Sequence, residues 1–362
     1  MPTYNTPGVY IEEVSTLPPS VAAVSTAIPA FIGYTEATVD ALGVDRLQTP
    51  TRISSLLEYE AYFGRAPLQA FSVVVDKRVD SNSRRLDVRV QLDGSVANNP
   101  PATPTRLMYY SLQLYFANGG GPCYIYSLGT AGGAPQLSDF TAAVSALESV
   151  DEVTLLTFPD ACRLTAGQHG DLVEAALRSC NATQDRFTIA DVHGALPTGV
   201  INDMTAANAF RTEVGLASVD FLKYGAAYFP FLRTSLPWLT SDASITISAF
   251  NDVTVDNAGA EASNPNATLS GVLLSSTDIQ GTATTAGETA VLNAVKIFIS
   301  QQYVTMPPSA AVAGVYATVD RNRGVWKAPA NVGLSRVIEP TVPITNVLQD
   351  QLNVDSGSGK SI

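Results

Sequence analysis

Asp191 and His193 form a D-x-H pair just beyond a predicted strand, where α/β folds often hold reacting groups. Such a pair could serve a hydrolytic enzyme. His169, in TAGQHGD, is the second histidine. With no HExxH and no paired-cysteine spacing, the two histidines make a poor metal site. A turn histidine bonded to backbone is the plainer reading of His193. Cys123, Cys162 and Cys180 are far apart, and an odd count without CxxC does not read as a disulfide framework. Reduced thiols and assembly in a cytoplasm are therefore expected. The GGGP run at 119–122 has the composition of a phosphate loop but the wrong order. It follows a predicted helix and opens a strand, whereas a phosphate cradle follows a strand and opens a helix. Neither GxxxxGK[ST] nor GxSxG occurs. Glu12-Glu13 and Asp151-Glu152 are adjacent pairs, which suit solvated edges better than acid–base couples. The expectation is a non-enzyme with no catalytic residue, no cofactor and no metal.

Partners are constrained by charge. The net charge of −12 argues against a general nucleic-acid binder, which presents a basic face. The tyrosines Tyr109, Tyr110 and Tyr115 with Phe116 lack the basic interleaving of a base-stacking platform and read as core and interface. No polybasic segment addresses an anionic membrane. The longest apolar stretches are broken by Ser, Thr and Pro before they reach a bilayer span of ~20 residues, so no direct membrane insertion is expected. The first residues lack the basic and apolar regions of a secretory signal. Only 15% of residues are charged and 46% are hydrophobic. That low charge suits a surface largely covered by neighbouring molecules.

The elements that would position these groups alternate along the chain. Residues 30–34 (AFIGY) read as a buried strand and 51–64 as the start of a helix capped by Ser54 or Ser55. Residues 73–76 and 85–92 read as strands, and 95–104 as a loop. Helices are predicted at 105–117, closed by Asn118 and glycines, and at a segment opened by Ser138 or Asp139. Further helices are expected at 168–180, 205–214 and 288–303. Strands are expected at 123–129, 153–160, 186–192 and 226–232. Residues 244–279 are rich in Ser, Thr, Asn and Ala, with one clear strand, ITISAF, and long surface loops. The fold class expected is α/β of mixed α+β character, multi-domain, with helices on a mixed sheet, a small β-rich inserted domain and an extended N-terminal arm. The chain opens with that arm. PGVYIEEV at 7–14 has strand formers between Pro-Gly and a double proline, so it reads as a tethered strand in need of a partner edge.

Five stretches in order carry a resemblance: PGVYIEEV from Pro7, VSTAIPAFIGYT from Val24, YYSLQLYFANGGGPCYIYSLG from Tyr109, FPD at Phe158, and PPSAAVAGVYATVDRNRGVWKAPANV from Pro307. Together they resemble the contractile tail sheath family of phages and bacterial contractile injection systems. The last tract resembles the family signature: a small-residue turn, a strand, D-x-x-R-G-V-W, then A-P-A-N. Its carriers here are Asp320, Arg323, Gly324, Val325, Trp326, Ala328, Pro329 and Asn331. The resemblance implies a homo-oligomer of stacked hexameric rings around an inner tube protein. Contraction would drive that tube through a target envelope. It implies baseplate and tail-terminator partners, an AAA ATPase in some systems, and no nucleic acid. It also implies that Pro7, Gly8, Val9, Tyr10, Ile11, Glu12, Glu13 and Val14 form an inter-subunit arm that adds a strand to a neighbour's sheet. The expected division is an arm at 1–20, a strand and connector at 21–50, and an inserted β-rich domain at 51–104. A main domain follows at 105–345 with a loop-rich insertion near 244–285. Residues 346–362 read as the poorly ordered start of a C-terminal domain that appears truncated. The competing readings are a secreted adhesin or carbohydrate-binding surface protein, suggested by the Ser/Thr/Asn-rich loops, and the α/β enzyme built on Asp191 and His193.

Overall fold

The computed structural model describes residues 26–130, 133–194, 203–215, 219–282, 287–353, 355, 357 and 359–362. In chain order the elements are β1 (Pro29–Gly33), β2 (Thr51–Ile53), α1 (Leu56–Phe63), β3 (Phe71–Asp80), β4 (Arg85–Leu92) and α2 (Met108–Ala117). Then come β5 (Cys123–Ser127), α3 (Leu137–Leu147), β6 (Leu155–Thr157), α4 (Ala166–Thr183), β7 (Phe187–Asp191) and α5 (Thr205–Glu213). These are followed by β8 (Gly225–Tyr228), β9 (Leu232–Pro237), β10 (Ile245–Val255), β11 (Glu261–Pro265), β12 (Val272–Leu273) and α6 (Thr277–Gln280). The last are α7 (Thr289–Ser300), β13 (Tyr303–Met306), α8 (Ser309–Arg323), β14 (Val337–Pro340) and α9 (Asn346–Asn353).

The central sheet has the order β2-β5-β1-β6-β7-β8. Its strands run parallel except β2, which is antiparallel to β5 at the edge. β1 is buried at every position, as a strand covered on both faces must be. Alternation then divides its side chains. Phe31 packs with Tyr115 and Ile125 under α2 and α8, while Ala30 and Ile32 pack with Phe140 and Leu172 under α3 and α4.

A second sheet has the order β11-β10-β3-β4, with β12 also paired to β10. β3 and β10 run parallel over ten residue pairs although they lie far apart in sequence. The sheet therefore draws strands from both 51–104 and the stretch near 244–285. Val291, Val295 and Ile299 of α7 are buried in the same core as Val73, Val75 and Phe250. A third, antiparallel sheet runs β13-β9-β14.

Several sequence expectations need correction. Residues 51–53 open the predicted helix as a strand, because they complete the sheet edge beside β5. The helix itself starts after Ser55, whose hydroxyl accepts the Glu58 N–H. Neither Ser138 nor Asp139 caps α3; both lie within its first turn. The strand expected at 226–232 is two strands in different sheets. Residues 244–279 hold three strands rather than long loops, since β10 supplies the edge that β3 needs. The strand expected in the 307–332 tract is the helix α8. Nearly all of its first eleven residues are buried, so it carries no polar stripe from which a helical period could be read. Residues 346–353 form a helix instead of a poorly ordered end, with Leu348 and Leu352 packed among Ala207 and Val342.

Candidate functional site

The connections reverse between β1 and β6, the position at which open α/β sheets leave a ligand crevice. Here Asp160 fills it. Its carboxylate accepts the Tyr34 N–H and the Leu107 N–H, both at 2.8 Å, tying the end of β1 to the start of α2. A Cβ on Gly33 would lie 2.5 Å from Asp160 Oδ2, so glycine there makes room for the carboxylate. Burial pushes the Asp160 carboxyl up to about 6, against the two N–H bonds. Asp191, at the end of β7, does the same for α8. It accepts the Ser309 N–H at 2.8 Å and the Ser309 hydroxyl at 2.6 Å. Burial pushes it up to about 7.

The D-x-H pair is thus divided. Asp191 faces Ser309, while His193 Nε2 lies 2.9 Å from the Leu164 carbonyl. The fold does bring the two histidines together, with ring centroids 5.4 Å apart. His169 is buried, and burial followed by the neighbouring imidazole lowers it to about 3. Among the described residues no three His, Cys, Asp or Glu side chains are placed to hold a metal ion. Burial raises all three thiols, Cys180 to about 11. The tyrosines hold the core: Tyr109 donates to Glu60, Tyr110 accepts the Leu239 N–H, and Tyr115 accepts the Gly121 N–H. No helix of the described residues is long and apolar enough to cross a membrane.

The paired carboxylates predict a pH dependence. Both pKa values lie above the ordinary 3.8, so the folded chain holds more protons than the unfolded chain between about pH 4 and 7. Their contribution to stability is fully present below that window and declines as pH rises through it, by a few kcal/mol on the order of magnitude. Asp191→Asn keeps the geometry, because the amide can accept from the Ser309 N–H and donate to its hydroxyl. Its stability relative to the parent chain is expected to improve steadily from pH 4.5 to 7.5 in urea titrations. A difference independent of pH would contradict this account.

The remaining candidates cluster at the end of α8. Gly324, at φ 92°, closes that helix with its N–H on the Asp320 carbonyl. Beyond it, Val325 is 61% exposed and Trp326 is 84% exposed. The Trp326 ring lies against Gly324, where a Cβ would collide with it. Arg323 and Ala328 are exposed, Pro329 is partly buried, and Asn331 takes φ 57° in the following turn. Thr26 donates its hydroxyl to Asp320 at 3.0 Å, so the described chain begins beside this turn. Pro7, Gly8, Val9, Tyr10, Ile11, Glu12, Glu13 and Val14 lie outside the described residues. Sequence reasoning missed Asp160, Ser309 and Thr26. The one available signal for Asp160 was its place after a buried strand, in FPD.

No family model matches the sequence. No curated protein sequence matches it. Solved structures do match. A chain of the anti-feeding prophage (AFP) baseplate in the contracted state is 21% identical, with a TM-score of 0.51 over 96% of this chain and 63% of that one. A chain of the AFP helical sheath in the contracted state is 24% identical, with a TM-score of 0.45 over 97% of this chain and 62% of that one. A chain of the PVC sheath complex of an extracellular contractile injection system, in the contracted state, is 21% identical, with a TM-score of 0.45 over 98% and 61%. This chain spans about three fifths of the length of the solved chains it matches. The likeness to the AFP baseplate chain establishes a shared fold.

Proposed function

We propose that this chain is a structural subunit of a contractile sheath. It assembles as stacked hexameric rings around an inner tube, and its contraction drives that tube through a target envelope. The observation that carries this reading is the fold shared over 96% of the chain with a chain of the contracted AFP baseplate. The five ordered sequence motifs support it independently. A crevice filled by a carboxylate bound to two backbone N–H groups suits a structural role better than catalysis. Partners on this reading are further copies of the chain, the inner tube protein, baseplate and tail-terminator proteins, and in some systems an AAA ATPase. Assembly takes place in a bacterial cytoplasm, for a phage tail or an injection particle.

Residues 1–20 act as the inter-subunit arm, with 7–14 adding a strand to a neighbour. Main-chain hydrogen bonds then survive a rotation of subunits, because the linkage does not depend on matched side-chain surfaces. A difference of a few kcal/mol per subunit between extended and contracted states would suffice, since it adds over many copies. Deletion of residues 1–20 is expected to leave folded subunits that make short or no sheaths in negative stain. Tubes of normal length from that variant would remove the arm, and the absence of hollow tubes from the intact protein with its inner tube would remove the sheath.

A further inference from the structure

The stretch from Arg321 to Ile338 has a charge unlike that of the rest of the molecule. It holds four basic residues, Arg321, Arg323, Lys327 and Arg336, and no Asp or Glu. The whole chain carries 21 Lys and Arg against 33 Asp and Glu, so the remainder is left with 17 against 33, a net charge of −16. The fold closes most of this stretch into one loop. Thr318 and Arg321 donate to the Asn118 and Gly119 carbonyls, and Asn118 Oδ1 accepts the Ser335 N–H at 2.7 Å. Both ends of the loop 322–334 are thus pinned to the turn that ends α2. Compact surface loops of about 6–16 residues whose ends lie close together are frequently functional. Within the loop, the Lys327 N–H on the Gly324 carbonyl and the Ala330 N–H on the Ala328 carbonyl hold the main chain. Arg323, Val325, Trp326, Lys327 and Val332 are nonetheless exposed, as is Ile338 beyond it.

Among the described residues no salt bridge includes Arg323, Lys327 or Arg336. A tryptophan and arginines around a small apolar centre have the composition of an interface anchor. A basic, apolar loop on an acidic protein selects an acidic partner by charge complementarity. A second copy of this chain meets that requirement, because its surface outside the loop is acidic. A nucleic acid brings a continuous line of phosphates, which the acid-rich surface around the loop repels. Another copy brings separate acidic patches, and its own loop is left to engage a further copy. We infer that the loop 322–334 docks on an acidic patch of a second copy, with Trp326 as the buried anchor and Arg323 and Lys327 beside it. This names a surface through which copies meet, so it rests on the self-assembly in the proposed function, but on neither the arm nor the tube.

The test uses the concentrated full chain. A carbodiimide joins a lysine amine to a carboxylate without a spacer, so it reads the contact directly. In an equal mixture of unlabelled and nitrogen-15-labelled protein, Lys327 is expected to cross-link to Asp or Glu of the other isotope. The yield should fall several-fold between about 50 and 500 mM salt, as the charges are screened. Cross-links of Lys327 solely within one chain overturn the proposal. Sedimentation supplies a second measurement. Arg323→Glu with Lys327→Glu is expected to weaken self-association about tenfold, and Trp326→Ala by a similar factor. Arg84→Glu with Arg85→Glu makes the same change of net charge at an exposed hairpin and should leave association near that of the parent chain. Equal weakening by both reversals would reveal a general charge effect and overturn the loop. Binding of a single-stranded oligonucleotide by the intact protein, lost on reversal of the loop charges, overturns the second copy as the occupant. Failure here is distinct from failure of the sheath. Hollow tubes of normal length from the reversed variant with its inner tube remove the loop contact and keep the sheath.

Discussion

Phe31→Ala is expected to lower the unfolding free energy by about 3–5 kcal/mol, among the largest losses any single truncation in this fold would cause. Phe31 is fully buried in the middle of β1, the strand paired on both sides, to β5 and to β6. Its ring meets Tyr115 of α2 edge-on, with centroids 5.1 Å apart at 65°. Truncation removes an aromatic side chain from between a sheet and a helix whose backbones cannot both move inward. The cavity therefore persists and adds to the lost transfer energy. A urea titration monitored by circular dichroism measures the loss. A change below about 1 kcal/mol would show that the ring is not a packing bridge between these layers.

Gly314→Val is expected to cost about 3 kcal/mol by the opposite mechanism, overpacking. Gly314 lies on the face of α8 that crosses α2. A Cβ there would stand 2.6 Å from the Tyr115 carbonyl oxygen and 2.9 Å from Asn118 Cβ. The nearer obstacle is backbone, which cannot rotate away. The crossing is close because α2 ends beneath α8. Gly119 turns the chain at φ 83°, and Thr318 and Arg321 of α8 donate to the Asn118 and Gly119 carbonyls. Separation of the helices to admit a valine would break those bonds as well. Gly167, in α4, offers the control, since a Cβ there meets nothing within 4 Å. Gly167→Ala should be neutral or slightly stabilising, because alanine favours helix over glycine. Equal behaviour of Gly314→Val and the control in thermal melts would refute the account of the crossing.

Both predictions concern the layer through which the carboxylates Asp160 and Asp191 act, since α2 and α8 are the helices whose starts they hold. The exposed Trp326 turn hangs from the far end of α8.

The sequence by itself determined the local elements that depend on near neighbours. The buried run at 30–34, the alternation at 85–92, the Ser55 cap and the glycine stop after α2 are written in short windows, because strand burial, side-chain capping and positive φ are local properties. The five ordered motifs, which carry the resemblance to the contractile sheath family, are likewise legible in the sequence alone. Pairing was decided only by the tertiary structure. The parallel match of β3 with β10 spans a separation that no periodicity encodes, so the Ser/Thr/Asn-rich stretch read as loops. The strand that the family resemblance implied in the 307–332 tract is the helix α8; burial nearly all round left it no polar stripe to mark a helix in the sequence, and burial belongs to the packed molecule. Asp191 and His193 looked like partners because they are close in sequence. The fold gives Asp191 to Ser309, 118 residues away, because a buried carboxylate must be satisfied by whatever donor the packing brings to it.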